Sequence, residues 1–256
     1  MKQYNGEKYI VSLTSFGERL KHISKAIFIL SEQKYKDIHI VLTVHKDDLK
    51  FLDEKAKLLL DNEVFELLVA DEDLGPHLKY YYAMSKYYDK PIITVDDDRY
   101  YADNTIQILV SKFESLNYKS IVSNCAIELQ REGDKILPYP YWISHRLKAG
   151  NRSNLAMAEG FAGILYPPHC FKDLSSEDFK KGILLCKYDD DLYLKVREIL
   201  EKIPVTQADH NPSCTEHNNI QELMKYNLHE NQNKGNYNRV NMCYKFEKEL
   251  LKAWRF

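Results

Sequence analysis

The densest chemistry in the chain is Ile92-Ile93-Thr94-Val95-Asp96-Asp97-Asp98. Three adjacent carboxylates repel one another, and the repulsion grows as the local dielectric falls. A bound cation relieves it, and carboxylate oxygens at a strand end suit Mg2+ or Mn2+. Such an ion would bridge the diphosphate of a nucleotide substrate and stabilise charge on its leaving group. A turn directly after Val95 would bring Asp96 and Asp98 to one locus. The plain alternative is a solvated acidic turn. The apolar strand in front of the triplet is what raises the metal reading above it.

A second acidic run, Asp189-Asp190-Asp191, opens a predicted helix. Capping and the helix macrodipole account for one or two of its members. A catalytic carboxylate presented at the helix start is the sharper alternative. His210 and His217 lie in a polar stretch. Either could complete a metal site as neutral imidazole, against the plain reading of a surface histidine.

The elements that must position these groups alternate. Residues 9 to 14, 38 to 44, 64 to 69 and 91 to 95 read as strands. Between them, residues 18 to 33, 46 to 60 and about 75 to 88 carry apolar positions at helical spacing, and a further helix is expected over 103 to 116. Strands alternating with helices imply βαβ units and a mostly parallel sheet, whose ligands sit at the carboxyl ends of the strands. The acidic triplet lies at such an end. The second half is less regular. Strands are expected at 119 to 123, 161 to 166 and 203 to 206, with a helix from about Asp189 to Glu201 and a polar loop or insertion over 131 to 158.

Composition narrows the field. The chain has 256 residues, 44% of them hydrophobic, and a net charge of −2, which fits one large α/β domain and argues against a nucleic-acid partner. The five cysteines show no CxxC spacing, so a zinc knuckle and a disulfide framework are both disfavoured. The first residues carry no apolar signal segment, and no run approaches the roughly 18 apolar residues of a spanning helix. These features predict a cytoplasmic protein. Phe246, Leu250 and Trp254 form an apolar stripe beside lysines in a C-terminal helix. That stripe could make a peripheral contact with the inner face of a membrane, but two glutamates interrupt its basic side, which favours packing on the domain.

Four stretches, in order, resemble a family of bacterial glycosyltransferases with the GT-A fold, associated with capsule and other surface polysaccharides. They are Val11-Ser12-Leu13-Thr14-Ser15-Phe16 with Arg19; Asp73-Leu74-Gly75-Pro76-His77-Leu78-Lys79; Ile93 to Asp98; and Gly160 to Pro168 followed by Asp190-Asp191-Leu192-Tyr193. The resemblance covers about residues 9 to 200. It implies an α/β, GT-A-like architecture: a mostly parallel twisted sheet flanked by helices, forming a single nucleotide-sugar-binding domain over residues 1 to 206. Residues 207 to 256 would then be a C-terminal loop and terminal helix on the same domain.

The resemblance also implies roles. Thr14 and Arg19 would lie near the nucleotide, and Asp73 and Lys79 would hold the nucleotide and its phosphates. Asp96 to Asp98 would be the DxD motif. Asp96 and Asp97 would face the nucleotide sugar, and Asp96 and Asp98 would bind Mn2+ or Mg2+, completed by His210. Asp191 would be the base of an inverting transfer, with Asp190 orienting it. The donor would be a nucleotide-diphosphate sugar, a UDP-sugar by analogy with the fold, and the acceptor a hydroxyl of a glycan or lipid-linked molecule. The chain departs from the family at Ala162-Gly163, where Gly-Gly is usual, at Leu192-Tyr193, where Ile-Trp is usual, and in the extra Asp189.

Three rivals remain. A sugar nucleotidyltransferase needs a Gly-rich loop near the N-terminus, and Ser15-Phe16-Gly17-Glu18-Arg19-Leu20 offers one glycine. A DxD phosphatase normally places its motif on the first strand, whereas here it follows about the fourth. A carbohydrate-binding relic of the transferase fold has no need of two clusters of like charge.

Overall fold

The computed structural model describes residues 9 to 59, 65 to 133, 135 to 209 and 220. β1 (Tyr9–Thr14) leads through a 3-10 turn at Gly17–His22 into α1 (Ile23–Ser31). β2 (Ile38–His45), a second 3-10 turn (Lys46–Phe51), α2 (Glu54–Leu59) and β3 (Phe65–Ala70) follow. The helix expected over 46 to 60 is therefore broken. Leu52 is extended, and Asp53 starts a new helix by accepting from the Ala56 N–H at 2.6 Å; its other oxygen accepts from Ser24 N–H at 3.1 Å, which ties α2 to α1.

α3 (Leu78–Lys86) begins after a 3-10 turn at Gly75–His77, followed by β4 (Ile92–Thr94), α4 (Thr105–Ser115) and β5 (Ile121–Ser123). β6 (Ala126–Glu128) comes just before the region expected to be loop, and that region itself holds short strands: β7 (Arg131–Glu132), β8 (Lys135–Ile136), β9 (Arg152–Ser153) and β10 (Ala156–Ala158). Then come β11 (Ile164–Tyr166), α5 (Glu177–Leu185), α6 (Asp190–Leu200) and β12 (Val205–Gln207). The terminal helix expected around 244 to 254 lies outside the described residues.

The central sheet has the order β3-β2-β1-β4-β11-β5-β12-β9. β1 pairs in parallel with β2 and β4, β2 with β3, and β12 with β5; β11 and β9 run antiparallel to their neighbours. Both faces of the sheet are covered, which is why β1, β2 and β4 are nearly continuous apolar runs. Alternate residues serve separate cores. Ile10, Val41 and Ile92 pack with Tyr80 of α3, Phe179 of α5 and Tyr193 of α6. Val11, Leu42 and Ile93 pack with Ile27 of α1 and Leu109 of α4. Burying each such side chain contributes about 1.5–3 kcal/mol.

Strand order reverses beside β1. The chain steps outward from β1 to β2 to β3, then returns to place β4 on the other side of β1. The crevice above the carboxyl ends of β1 and β4 is therefore the topological switch point, where open α/β sheets bind ligands. Residues 15 to 19 leave β1 there, and Asp96 to Asp98 leave β4.

Candidate active site

The acidic triplet leaves β4 into a turn that sends its members to different partners. Extended geometry persists to Val95, whose N–H donates to the Ser12 carbonyl at 3.0 Å. Asp96 falls on the α3 side, where Lys79 Nζ meets its Oδ1 at 2.8 Å. Asp97 falls on the α1 side and is buried against Arg19: the guanidinium Nε donates to Oδ2 at 3.0 Å, and a second nitrogen donates to Oδ1. That second nitrogen also lies 3.1 Å from Asp98 Oδ2. Burial pulls against the charge on Arg19, but Asp97 and then Asp98 outweigh it and hold the pKa above its ordinary value.

Asp98 is the under-compensated member. Burial, then repulsion from Asp96 and Asp97, push its pKa up to about 6 against the pull of Arg19. Asp96 and Asp98 thus bind different cations yet lie close enough to repel one another.

The second motif arrives from α6. Asp189 caps the helix, its side chain accepting from Leu192 N–H at 3.2 Å. This frees the next two acids from capping. Asp190 is buried, and its Oδ2 lies 2.8 Å from Lys79 Nζ. Burial opposes its ionisation, but Lys79 outweighs this and keeps its pKa below the ordinary range. Asp191 is half-buried, and its Oδ2 accepts from the Gly160 N–H at 3.1 Å. Gly160 is required by close approach: a Cβ there would lie 2.8 Å from Asp191 Oδ1 and 3.0 Å from Lys79 Nζ.

Three residues that the sequence did not single out tie these parts together. Tyr101 is buried beside the triplet; its hydroxyl accepts from Asp96 N–H at 2.8 Å and donates to the Phe161 carbonyl at 3.1 Å. Gly160 seats Asp191. His77 is fully buried, with Nε2 3.0 Å from the Cys186 carbonyl and Nδ1 2.7 Å from the Tyr80 hydroxyl. A carbonyl can only accept, so Nε2 carries the ring proton and Nδ1 accepts from Tyr80. Burial pushes the His77 pKa down against the opposing pull of Asp190. The signals were a Tyr-Tyr pair just after the triplet and a glycine and a histidine inside quoted motifs, none distinctive in type.

Other expected site residues are placed differently. Thr14 is half-buried and donates its hydroxyl to the Thr43 carbonyl at 2.7 Å. Asp73 is exposed at the outer rim; one oxygen accepts from Gly75 N–H at 3.0 Å and the other pairs with Lys187 at 2.8 Å. His210 lies outside the described residues.

The residues present fit a divalent cation on charge. Asp96, Asp97, Asp98, Asp190 and Asp191 make five carboxylates; Arg19, Lys79 and Arg99, which stacks on the Phe161 ring at 4.8 Å, make three cations. Five minus three leaves two negative charges in excess, and the raised pKa of Asp98 locates part of that excess. Among the described residues no three His, Cys, Asp or Glu side chains are grouped to hold a metal by themselves. Two carboxylates and the substrate's own oxygens could do so together.

No protein-family model matches the chain, and no curated protein matches it in sequence. Solved structures match it in three dimensions. Staphylococcus aureus TarS residues 1–349, in complex with UDP-GlcNAc, aligns with a TM-score of 0.51 at 12% identity, over 80% of this chain and 57% of that one. A longer TarS structure gives 0.51 at 13% identity, over 80% and 36%. A Bacillus anthracis protein described as a glucose-1-phosphate thymidylyltransferase, in complex with sucrose, gives 0.53 at 13% identity, over 86% and 94%. The chain thus spans 57% or less of these two TarS chains. The likeness establishes the fold: a GT-A-like α/β domain with a large, mainly parallel central sheet flanked by helices.

Proposed function

We propose that the chain is a glycosyltransferase that moves a sugar from a nucleotide-diphosphate donor to a hydroxyl of a glycan or lipid-linked acceptor, with inversion. The observation that carries this reading is the meeting of two acidic motifs, one from the β4 end and one from the α6 start, across a single lysine. One motif suits the donor's diphosphate and the other the acceptor's hydroxyl.

Asp191 is the base. Gly160 N–H fixes the orientation of its half-buried carboxylate, as a general base requires. Asp190 is spent on Lys79, so it orients rather than accepts. In a single displacement, Asp191 takes the acceptor's proton as that oxygen bonds to the anomeric carbon; the bond from that carbon to the diphosphate breaks, and the diphosphate leaves with its electrons. Asp96 and Asp98 would hold Mn2+ or Mg2+, with His210 as a further ligand; when bound, the ion neutralises the departing diphosphate. Thr14, at the end of β1, and Asp73, after β3, would lie toward the nucleoside of a UDP-sugar. Among the described residues no helix is long and apolar enough to cross a membrane. The reading places the reaction on the cytoplasmic side, with any lipid-linked acceptor met at the membrane's inner face and surface polysaccharide as the product class.

A sugar nucleotidyltransferase is the second reading, supported by the likeness in fold to the thymidylyltransferase. The loop after β1, with its single glycine, and the acidic pair on α6 weigh against it.

The test is a thermal-shift screen of nucleotide sugars and nucleoside diphosphates, each with and without Mn2+. A ligand that binds only the folded state raises the melting temperature by mass action. A metal-dependent shift with one nucleotide diphosphate sugar is expected. A shift with a nucleoside triphosphate alone, followed by pyrophosphate release with a sugar 1-phosphate, would establish the second reading instead.

A further inference from the structure

We propose that Lys79 is a positioning residue that sets the spacing between the two acidic motifs, and that it does not hold the donor's phosphates. The catalytic part of this inference rests on the transferase reading; its binding and stability parts do not.

An ammonium has three donors. One on Lys79 goes to Asp96 Oδ1 at 2.8 Å, and the ammonium also lies 2.8 Å from Asp190 Oδ2 as an ion pair, so one cation serves carboxylates from two elements. The ammonium is buried and close under Gly160, where an added Cβ would lie 3.0 Å from Nζ. Turning this ammonium toward a phosphate would leave Asp190 buried with no other cation in direct contact among the described ion pairs. An uncompensated buried carboxylate is strongly destabilising.

The placement of Lys79 is itself fixed. It stands in the first turn of α3, two residues after His77. His77 Nε2–H donates to the carbonyl of Cys186, and Cys186 in turn accepts from Asp189 N–H at 2.8 Å, directly before Asp190. The 3-10 turn and the start of α3 therefore grip the segment leading into α6 twice, through a buried imidazole and through the lysine. The Asp96 contact carries that grip to the end of β4. Donor-side and acceptor-side carboxylates are thus spaced by one side chain, and Asp191 follows because it is the next residue and is seated on Gly160.

The experiment uses the full chain with Lys79→Met and, because that variant strands two carboxylates and could fail to fold, the charge-matched Lys79→Met/Asp190→Asn. Nucleoside diphosphate binding is measured by calorimetry with Mn2+, and transfer is resolved into kcat and KM. Nucleotide affinity and donor KM within about threefold of the parent, with kcat down about a hundredfold or more, are expected. Nucleotide affinity weakened tenfold or more in both variants would mean a phosphate-binding lysine and would overturn the proposal. Urea denaturation of Lys79→Met, Asp190→Asn and the double variant gives a readout independent of ligand. Strongly non-additive losses are expected, and additive losses would overturn the proposal. If the parent binds nucleotide but transfers no sugar, the transferase reading falls while the binding and urea results still decide the role of Lys79.

Discussion

Gly160→Ala is the most pointed perturbation of the site. Gly160 is not in left-handed backbone, so alanine is acceptable there on conformational grounds. What fails is space: the new methyl would lie 2.8 Å from Asp191 Oδ1 and 3.0 Å from Lys79 Nζ. Comfortable contacts of this kind begin near about 3.5 Å, so Asp191 must retreat by roughly half an ångström or more. That displacement stretches the 3.1 Å hydrogen bond from Gly160 N–H to Asp191 Oδ2. Overpacking of this sort costs about 1–3 kcal/mol. For a domain of this size each kcal/mol lowers the melting temperature by about 2–4 °C. Misplacing a catalytic group by a fraction of an ångström to 1 Å can cost about a hundredfold in rate. The assay pairs thermal unfolding with kcat and nucleoside diphosphate affinity. The expected result is a modest loss of melting temperature, a large loss of kcat and unchanged nucleotide binding. Parental kcat in a variant with a parental melting temperature would refute the placement of Asp191. Nucleotide affinity falling in step with kcat would show that Gly160 belongs to the donor site.

Other perturbations separate the parts. Gly75→Ala adds a Cβ in left-handed backbone (φ +60°) at 2.6 Å from the Lys187 carbonyl, so it should destabilise by about 1–2 kcal/mol from the backbone alone, with the clash adding to it; unchanged urea stability would contradict the close approach of the α5–α6 turn. Asp98→Ala should abolish the metal-dependent part of nucleotide binding, seen by calorimetry with and without Mn2+; persistence of that dependence would remove Asp98 from the metal site. Asp191→Asn should keep donor binding and lose transfer, whereas Asp190→Asn should also loosen the fold around Lys79; if only Asp190→Asn abolishes transfer, the base is Asp190. His77 gives a pH signature. Its folded pKa is depressed by burial, so the unfolded chain takes up the proton first, near an ordinary value of about 6.5. Its contribution is complete above that value and is lost as pH falls below it. The stability gap between the parent and His77→Gln should therefore narrow from about pH 7 to about pH 5, and a gap independent of pH would show that His77 is not held neutral.

The regular first half was legible because β1, β2 and β4 are buried on both faces and read as apolar runs, while α1 and α3 bury one face and read at helical spacing. The position of the triplet at a strand end followed from that pattern. The irregular elements left weaker traces. β6 and β10 are three residues each and pair across a long insertion, so neither carries enough alternation to read alone. α5 does carry a local signal: Ser176 precedes Glu177 and Asp178, and its hydroxyl oxygen accepts from Phe179 N–H at 3.1 Å, the pattern of a capped, acidic first turn. Thr14 shows the opposite limit. Its place at the end of β1 was legible, but that its hydroxyl turns to the neighbouring strand depends on the β1–β2 register.

The triplet itself shows why residue type and spacing leave partners open. Read as a string, Asp96-Asp97-Asp98 looks like three equivalent ligands. In the fold the turn after β4 gives each acid a different partner. Asp96 is turned to the α3 face, where Lys79 links it to α6. Asp97 is turned to the α1 face and is consumed by Arg19, whose own position depends on the 3-10 turn after β1. Asp98, past the strand, shares Arg19 and is left short of positive charge. The middle acid is therefore structural in this arrangement, anchoring the loop after β1 to the loop after β4 across the switch point. Of the outer two, Asp96 is paired with Lys79 and Asp98 is the one left under-compensated. A chain that needed only a cation ligand at this strand end could do with the outer pair. The middle aspartate and the buried arginine together account for the third, because an unpaired charge of either sign at that depth would cost more than the pair does.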